Sequence, residues 1–210
     1  MPHLLHLDSS ADLHGSRSRS ITATFAQAWS GRGSEFSRTH RDLHRDQLPH
    51  FADPELHWTA ADRRPDADPP AAAEALQREL LDEMLAADVL LVGAPLYNYS
   101  LPSTLKAWVD NIHIPGLTTG PGTQPLAGRP AVVVSSRGAG YDAGTPTEGW
   151  DHGVPVLQIV LGAALGMQVH LVQTSFTLAD RVPELADQRD RGAAELAAAH
   201  RVAADLAAAL

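Results

Sequence analysis

The sequence predicts an α/β fold, in which a parallel sheet is covered by helices on both faces. Short apolar runs alternate along the chain with longer segments of helical period. Two of these runs, Val89 to Val92 and Ala131 to Val134, are continuously apolar, as suits a parallel strand buried on both faces. The alternation also supplies the helical crossovers that parallel strands require.

Taken in order, Leu4 to Leu7 reads as the first strand, broken by Asp8-Ser9-Ser10. A polar loop then reaches Gly15-Ser16-Arg17-Ser18-Arg19-Ser20. Ile21, Phe25, Ala28 and Trp29 follow at helical spacing, so the serines stand at a helix N-terminus, where Ser is a good cap. Gly31-Arg32-Gly33 ends that helix. Glu35 to Asp42 alternates loosely and predicts a second strand nearer the sheet edge. His44 to Pro70 is irregular, with one short helix around Pro54 to Thr59. Ala71 to Ala87 is a helix with Leu76, Leu80, Leu81, Met84 and Leu85 on one face.

After the third strand, Pro95 to Tyr99 forms a sharp turn, and Ser103 is expected to cap a helix through about Ile112. Gly116 to Gly128 reads as loop. The fourth strand ends at Ser135-Ser136-Arg137-Gly138-Ala139-Gly140-Tyr141, and Asp142 to Gly149 is again loop. Val154 to Leu165 is expected to be a helix, Val169 to Val172 the last strand, and Pro183 onward one Ala-rich helix. Five strands joined in this way fit the sheet order 2-1-3-4-5, and the 210 residues read as one domain, 1–210.

Composition excludes several function classes. The formal net charge is -9 with no long Lys/Arg run, which argues against a nucleic-acid partner. With no cysteine, there are no disulfides, thiolate metal ligands or cysteine nucleophiles. Neither a signal-type segment nor a membrane-length apolar run is evident, so no membrane partner is expected and a cytoplasmic location is. Ser, His and Asp are present without a Gly-x-Ser-x-Gly elbow, which speaks against a hydrolase of that type. The histidines share no ligand spacing on a common predicted face, so no metal site is assigned.

In a parallel sheet the loops after the strands gather at one edge, where open α/β sheets bind ligands. Three such loops carry most of the hydroxyls, glycines and aromatics. The first offers Ser10, Ser16, Arg17 and Ser18 around an open helix N-terminus, suited to an anion or to a plain cap. The second offers Pro95, Leu96, Tyr97, Asn98 and Tyr99, suited to lying beside a conjugated ring or to core packing. The third, Ser136, Arg137, Gly138 and Ala139, allows close backbone approach to a flat ligand, or is a simple turn. Tyr141 and His113 are candidate substrate contacts. Phe51 and Trp58 in the long loop suit either packing or a partner subunit's pocket.

Together the motifs Ser9-Ser10 with Ser16-x-Ser18, Pro95-Leu-Tyr-Asn-Tyr99 followed by Ser103-x-Leu105-Lys106 and Asp110, and Ser136-Arg-Gly138 resemble the FMN-dependent NADH:quinone oxidoreductases, or azoreductases, of flavodoxin-like fold. The resemblance covers nearly the whole chain. It implies an FMN whose phosphate lies at Ser10, Ser16, Arg17 and Ser18. Its ring would lie beside Leu96 to Tyr99, with backbone amides near N5, and its pyrimidine edge at Ser136 to Ala139. It further implies a homodimer and ping-pong reduction of quinones or azo compounds by NADH or NADPH, with no obligatory catalytic side chain. An FMN-binding electron-transfer or sensing module is the alternative. The chain differs from the family at Arg17, at Ala139, and in Gly116 to Pro125, which lacks the aromatic pair that usually walls the substrate pocket.

Overall fold

Side chains alternate across a strand, so each buried strand feeds two cores. In this chain Leu5, Leu7, Leu90, Val92, Ala131 and Val133 point to one side of the sheet, and Leu4, Val89, Leu91, Val132 and Val134 to the other. The computed structural model describes residues 1–210. Its strands are β1 (His3–Asp8), β2 (Ser37–Asp42), β3 (Val89–Pro95), β4 (Pro130–Ser136) and β5 (Gln168–Thr174). All pairs are parallel and the order is β2-β1-β3-β4-β5, as the sequence predicts.

Helices α1 (Arg17–Ser30), α2 (Ala71–Ala86), α3 (Ser103–Ile112), α4 (Gly153–Leu157) and α5 (Arg189–Ala209) cover the two faces. α1 begins where Ser16 accepts a hydrogen bond from Arg19 N–H at 3.3 Å. Its Ile21, Phe25, Ala26 and Trp29 recur at helical spacing and are fully buried against α5 and the sheet. The larger core lies under α2, α3 and α4, around the fully buried Trp108. No helix is long and apolar enough to cross a membrane.

Several boundaries depart from the sequence reading. Pro102, not Ser103, sits at the cap of α3, with no side-chain cap bond, and Ser103 is the first helical residue. The proline's fixed φ of -53° already suits entry into a helix. α4 is only five residues long and continues as a π-helix, Gln158–Ala164, where Leu165 N–H reaches Val160 C=O at 3.0 Å. The C-terminal segment is not one helix, because Pro183–Gln188 forms a 3-10 turn before α5. The second strand starts at Ser37 rather than Glu35, and the short helix in the long loop is a 3-10 turn, Pro54–His57.

Register also corrects the reading of the histidines. β1 and β2 pair His6 with His40, side by side on one face with Asp8, so two histidines do share a face.

Candidate functional site

The strand ends gather one pocket at the C-terminal edge of the sheet, about 580 Å³, within the usual range for a cofactor or ligand. Ser10, Ser16 and Arg17 line it from the loop after β1, and Pro95, Leu96 and Tyr97 from the turn after β3. Ser136 and Gly138 line it from the end of β4.

The first loop is held from both sides. Ser9 Oγ donates to Gly93 C=O at 2.6 Å, and Arg19 donates Nε and Nη2 to Ser10 C=O at 3.0 and 2.6 Å. Arg19 also holds both Asp42 oxygens at 2.7 Å, and this pairing raises its pKa above the usual guanidinium value. Asp12 accepts from Gly15 and His14 N–H, which holds its carboxyl below the ordinary range and shapes the turn. Ser16 Oγ and Ser18 Oγ lie 3.1 Å apart at the first turn of α1. Hydroxyls, N-terminal amides and the positive end of α1 therefore converge on one corner, a donor set suited to an anion.

The second loop is a tight reversal. Tyr97 and Ser100 exchange backbone hydrogen bonds at 3.0 Å in both directions, and Asn98 and Tyr99 between them have φ of 47° and 68°. Two positive φ angles in succession define a type I′ turn, a conformation costing on the order of 1 kcal/mol for each non-glycine residue. The turn leaves the Asn98 and Tyr99 N–H groups without a partner in the chain. Leu96 and Tyr97 N–H are already engaged, by Ser136 C=O at 2.9 Å and by Ser100 C=O. Of the four amides the sequence places beside a ring edge, only two are thus available.

Tyr97 is neither free nor buried packing. Its hydroxyl lies 3.1 Å from Ser10 Oγ and accepts from Ala11 N–H at 3.0 Å, tying the first loop to the second. Tyr99 is half exposed and meets Trp150 edge-on at 5.3 Å, and its C=O accepts from His152 N–H at 2.9 Å.

The remaining predicted residues are arranged differently. Arg17 lines the pocket, but its Nη1 donates to Ser175 C=O and Gly192 C=O at 3.2 Å each, joining α1 to the chain after β5. The Arg137 guanidinium does not line the pocket. It donates to Ser175 Oγ at 2.7 Å, lies 3.6 and 3.7 Å from Asp142 and Asp151, and sits over the Tyr141 ring. Tyr141 is partly buried, which pushes its phenol pKa up. Ala139 lines a neighbouring cavity of about 430 Å³ with Gly140 and Phe176. It does not line the main pocket. His113 ends α3, which runs back along β3 to the opposite sheet edge, where Thr119 bonds Ala164 just before β5. Within one chain His113 is therefore not a pocket residue. Phe51 packs on His57 at 4.2 Å, and Trp58 is half exposed.

Sequence reasoning missed one wall. The loop after β5 contributes Thr177, Leu178, Asp180 and Arg181 to the pocket. It docks on the third loop through Thr177 N–H to Arg137 C=O at 3.1 Å and Leu178 N–H to Gly138 C=O at 3.2 Å. Leu178 packs so closely that a Cβ on Gly138 would lie 2.8 Å from its Cδ1. The signal was topological: β5 ends at the same sheet edge as β1, β3 and β4.

Comparisons with known proteins agree with this arrangement. A family model described as flavodoxin-like fold matches residues 2–201. A Kineococcus radiotolerans protein named FMN-dependent NADH:quinone oxidoreductase is 70% identical over 207 residues, covering 99% of both chains. A Frankia alni protein of the same name is 41% identical, covering 97% of this chain and 100% of its own. The crystal structure of a Bacillus anthracis azoreductase matches over 100% of both chains with a TM-score of 0.79 at 18% identity, a likeness of fold. The chain belongs to the flavodoxin-like fold family, among relatives named FMN-dependent NADH:quinone oxidoreductases.

Proposed function

We propose that this chain is an FMN-dependent oxidoreductase that reduces quinones or azo compounds by two electrons, with NADH or NADPH as donor, in a ping-pong cycle. The observation that carries the reading is a pocket at the strand ends with two chemically distinct ends. One end has Ser16 and the N-terminus of α1, with the buried Ser18 hydroxyl 3.1 Å behind Ser16, a donor set suited to a phosphate. The other has Pro95, Leu96 and Leu178 beside Gly138, walls suited to a flat ring. The volume and donor set fit FMN, and the 70% identical relative is named for dependence on it.

When bound, the flavin supplies hydride-accepting and electron-donating chemistry. The chain's part is to bind and orient. Ser10, Ser16 and Ser18 hold the phosphate end, with Arg17 bracing α1 behind them. The type I′ turn presents Asn98 and Tyr99 N–H toward a ring edge, and Tyr97 fixes that turn to the phosphate loop. Arg137 acts from behind the third loop by clamping it to Ser175. No side chain is assigned as catalytic. Tyr141 remains a candidate substrate contact with its proton retained at neutral pH, as its raised pKa requires. The same reading includes a homodimer, in which half-exposed Tyr99, Trp150 and Trp58 meet a second copy, and a cytoplasmic setting. His113 acts in this reading only from the partner subunit.

Steady-state oxidation of NADH or NADPH by the FMN-loaded chain, with a benzoquinone or an azo dye as acceptor, tests the reading. Turnover that depends on both FMN and acceptor is expected. A chain that binds FMN yet oxidises neither nucleotide is an electron-transfer module instead.

A further inference from the structure

The edge of the sheet under α1 carries a polar cluster with no part in the pocket chemistry. His6 and Asp8 alternate on β1 and so share a face, and the parallel register sets His40 of β2 beside His6. Asp8 Oδ2 lies 3.3 Å from His6 Nε2 and 3.0 Å from His40 Nε2, and the two imidazole rings are 4.4 Å apart.

His6 is 3% exposed, yet neither ring nitrogen makes a hydrogen bond. A buried polar side chain left without partners is costly and rare in a native fold. Burial alone would push the Asp8 carboxyl up, but hydrogen bonds from His40 and Thr22 hold it well below the usual carboxylate range. Of the two histidines only His40 hydrogen-bonds the carboxylate, through Nε2 to Asp8 Oδ2. Thr22 Oγ1 donates to Asp8 Oδ1 at 2.8 Å, which orients Oδ2 toward the histidines. Gly93 of β3 makes room for the carboxylate, since a Cβ there would lie 2.9 Å from Oδ1. The nearest cation, Arg19, is 3.8 Å from Oδ2, but its charge is already matched by Asp42.

We propose that His6, Asp8 and His40 form a two-histidine, one-carboxylate site for a divalent transition-metal ion such as zinc, with an open fourth position beside the solvent-accessible His40. Nitrogen and oxygen ligands 2.0–2.1 Å from a tetrahedral zinc lie about 3.4 Å from one another, so the two separations to Asp8 Oδ2 are near that spacing. Thr22 fixes the carboxylate in the way outer partners orient metal ligands. Asp8 directly precedes Ser9-Ser10, whose carbonyl Arg19 holds, so an ion here braces the first turn of the pocket loop.

The test uses the untagged full chain, stripped with chelator, and ZnCl2 as the probe in calorimetric titration. One ion per chain is expected, together with a higher thermal midpoint in zinc. His40→Ala, at an accessible position, should weaken zinc by at least about 100-fold. His50→Ala, an exposed histidine outside the cluster, should bind as wild type does. Asp8→Asn gives a second, independent loss. Cobalt should give an intense tetrahedral visible spectrum in wild type that is absent in His40→Ala, a readout independent of stability. Absence of saturable binding in wild type, or equal affinity in wild type and His40→Ala, overturns the proposal.

Discussion

Replacing Ser16 and Ser18 by alanine, singly and together, probes the anion corner most finely. Each hydroxyl can donate to a phosphate, and a hydrogen bond to a charged group contributes about 1.5–3 kcal/mol. At the lower figure, each single change weakens FMN by about tenfold. The two hydroxyls lie 3.1 Å apart and hydrogen-bond to each other before binding, so the double change should lose less than the sum, within about 100-fold. Ser16 also caps α1, and losing the cap lowers stability by ~1 kcal/mol. That loss falls on free and bound protein alike and cancels from the affinity. Titration of the apoprotein by quenching of flavin fluorescence measures FMN directly, and riboflavin, which lacks the phosphate, is the control. Riboflavin affinity should not change. Equal losses for FMN and riboflavin, or none for FMN, would refute a phosphate at this corner.

Other outcomes follow from the same geometry. Tyr97→Phe removes two hydrogen bonds to the first loop and should weaken FMN by roughly 5- to 10-fold in the same titration, with little change in unfolding midpoint. Tyr99→Gly converts the turn to Asn-Gly, the preferred type I′ pair, and should raise unfolding free energy by about 1 kcal/mol in urea, less the lost contact with Trp150. Arg19→Ala leaves Asp42 with only the exposed Arg45 and the His44 and Arg45 N–H groups, frees the Ser10 carbonyl, and should cost ~1.5–3 kcal/mol in the same experiment. Leu91→Ala, in the centre of the sheet, should cost about 2–5 kcal/mol with cooperativity unchanged.

The fold was legible because burial on both faces writes itself into β3 and β4 as unbroken apolar runs, and α1 shows its face at Ile21, Phe25 and Trp29. The π-helical turn at Gln158–Ala164 was not, since its composition suits an α-helix equally. At the site, sequence located the three loops but not the aim of long side chains. Arg17 looks free to meet an anion in sequence and Arg137 to lie at a ring edge, yet buried acceptors around Ser175 capture both. Tyr97 could be read as packing or as a ring wall, and its hydroxyl bonds to Ser10 and Ala11 exist only once two distant loops meet. The loop after β5 escaped because Ser175-Phe-Thr-Leu178 carries no glycine motif, though topology alone places it at the edge. The pairing of His6 with His40 depends on strand register, which no local pattern encodes.

The most direct measurement of the central claim is an anaerobic single turnover. The FMN-loaded chain is mixed with one equivalent of NADH, or of NADPH, and then with one equivalent of a benzoquinone, while flavin absorbance is followed. The account predicts that one nucleotide bleaches the oxidised flavin band fully and that the quinone restores it in equal amount. An oxidised band that neither nucleotide diminishes would contradict it.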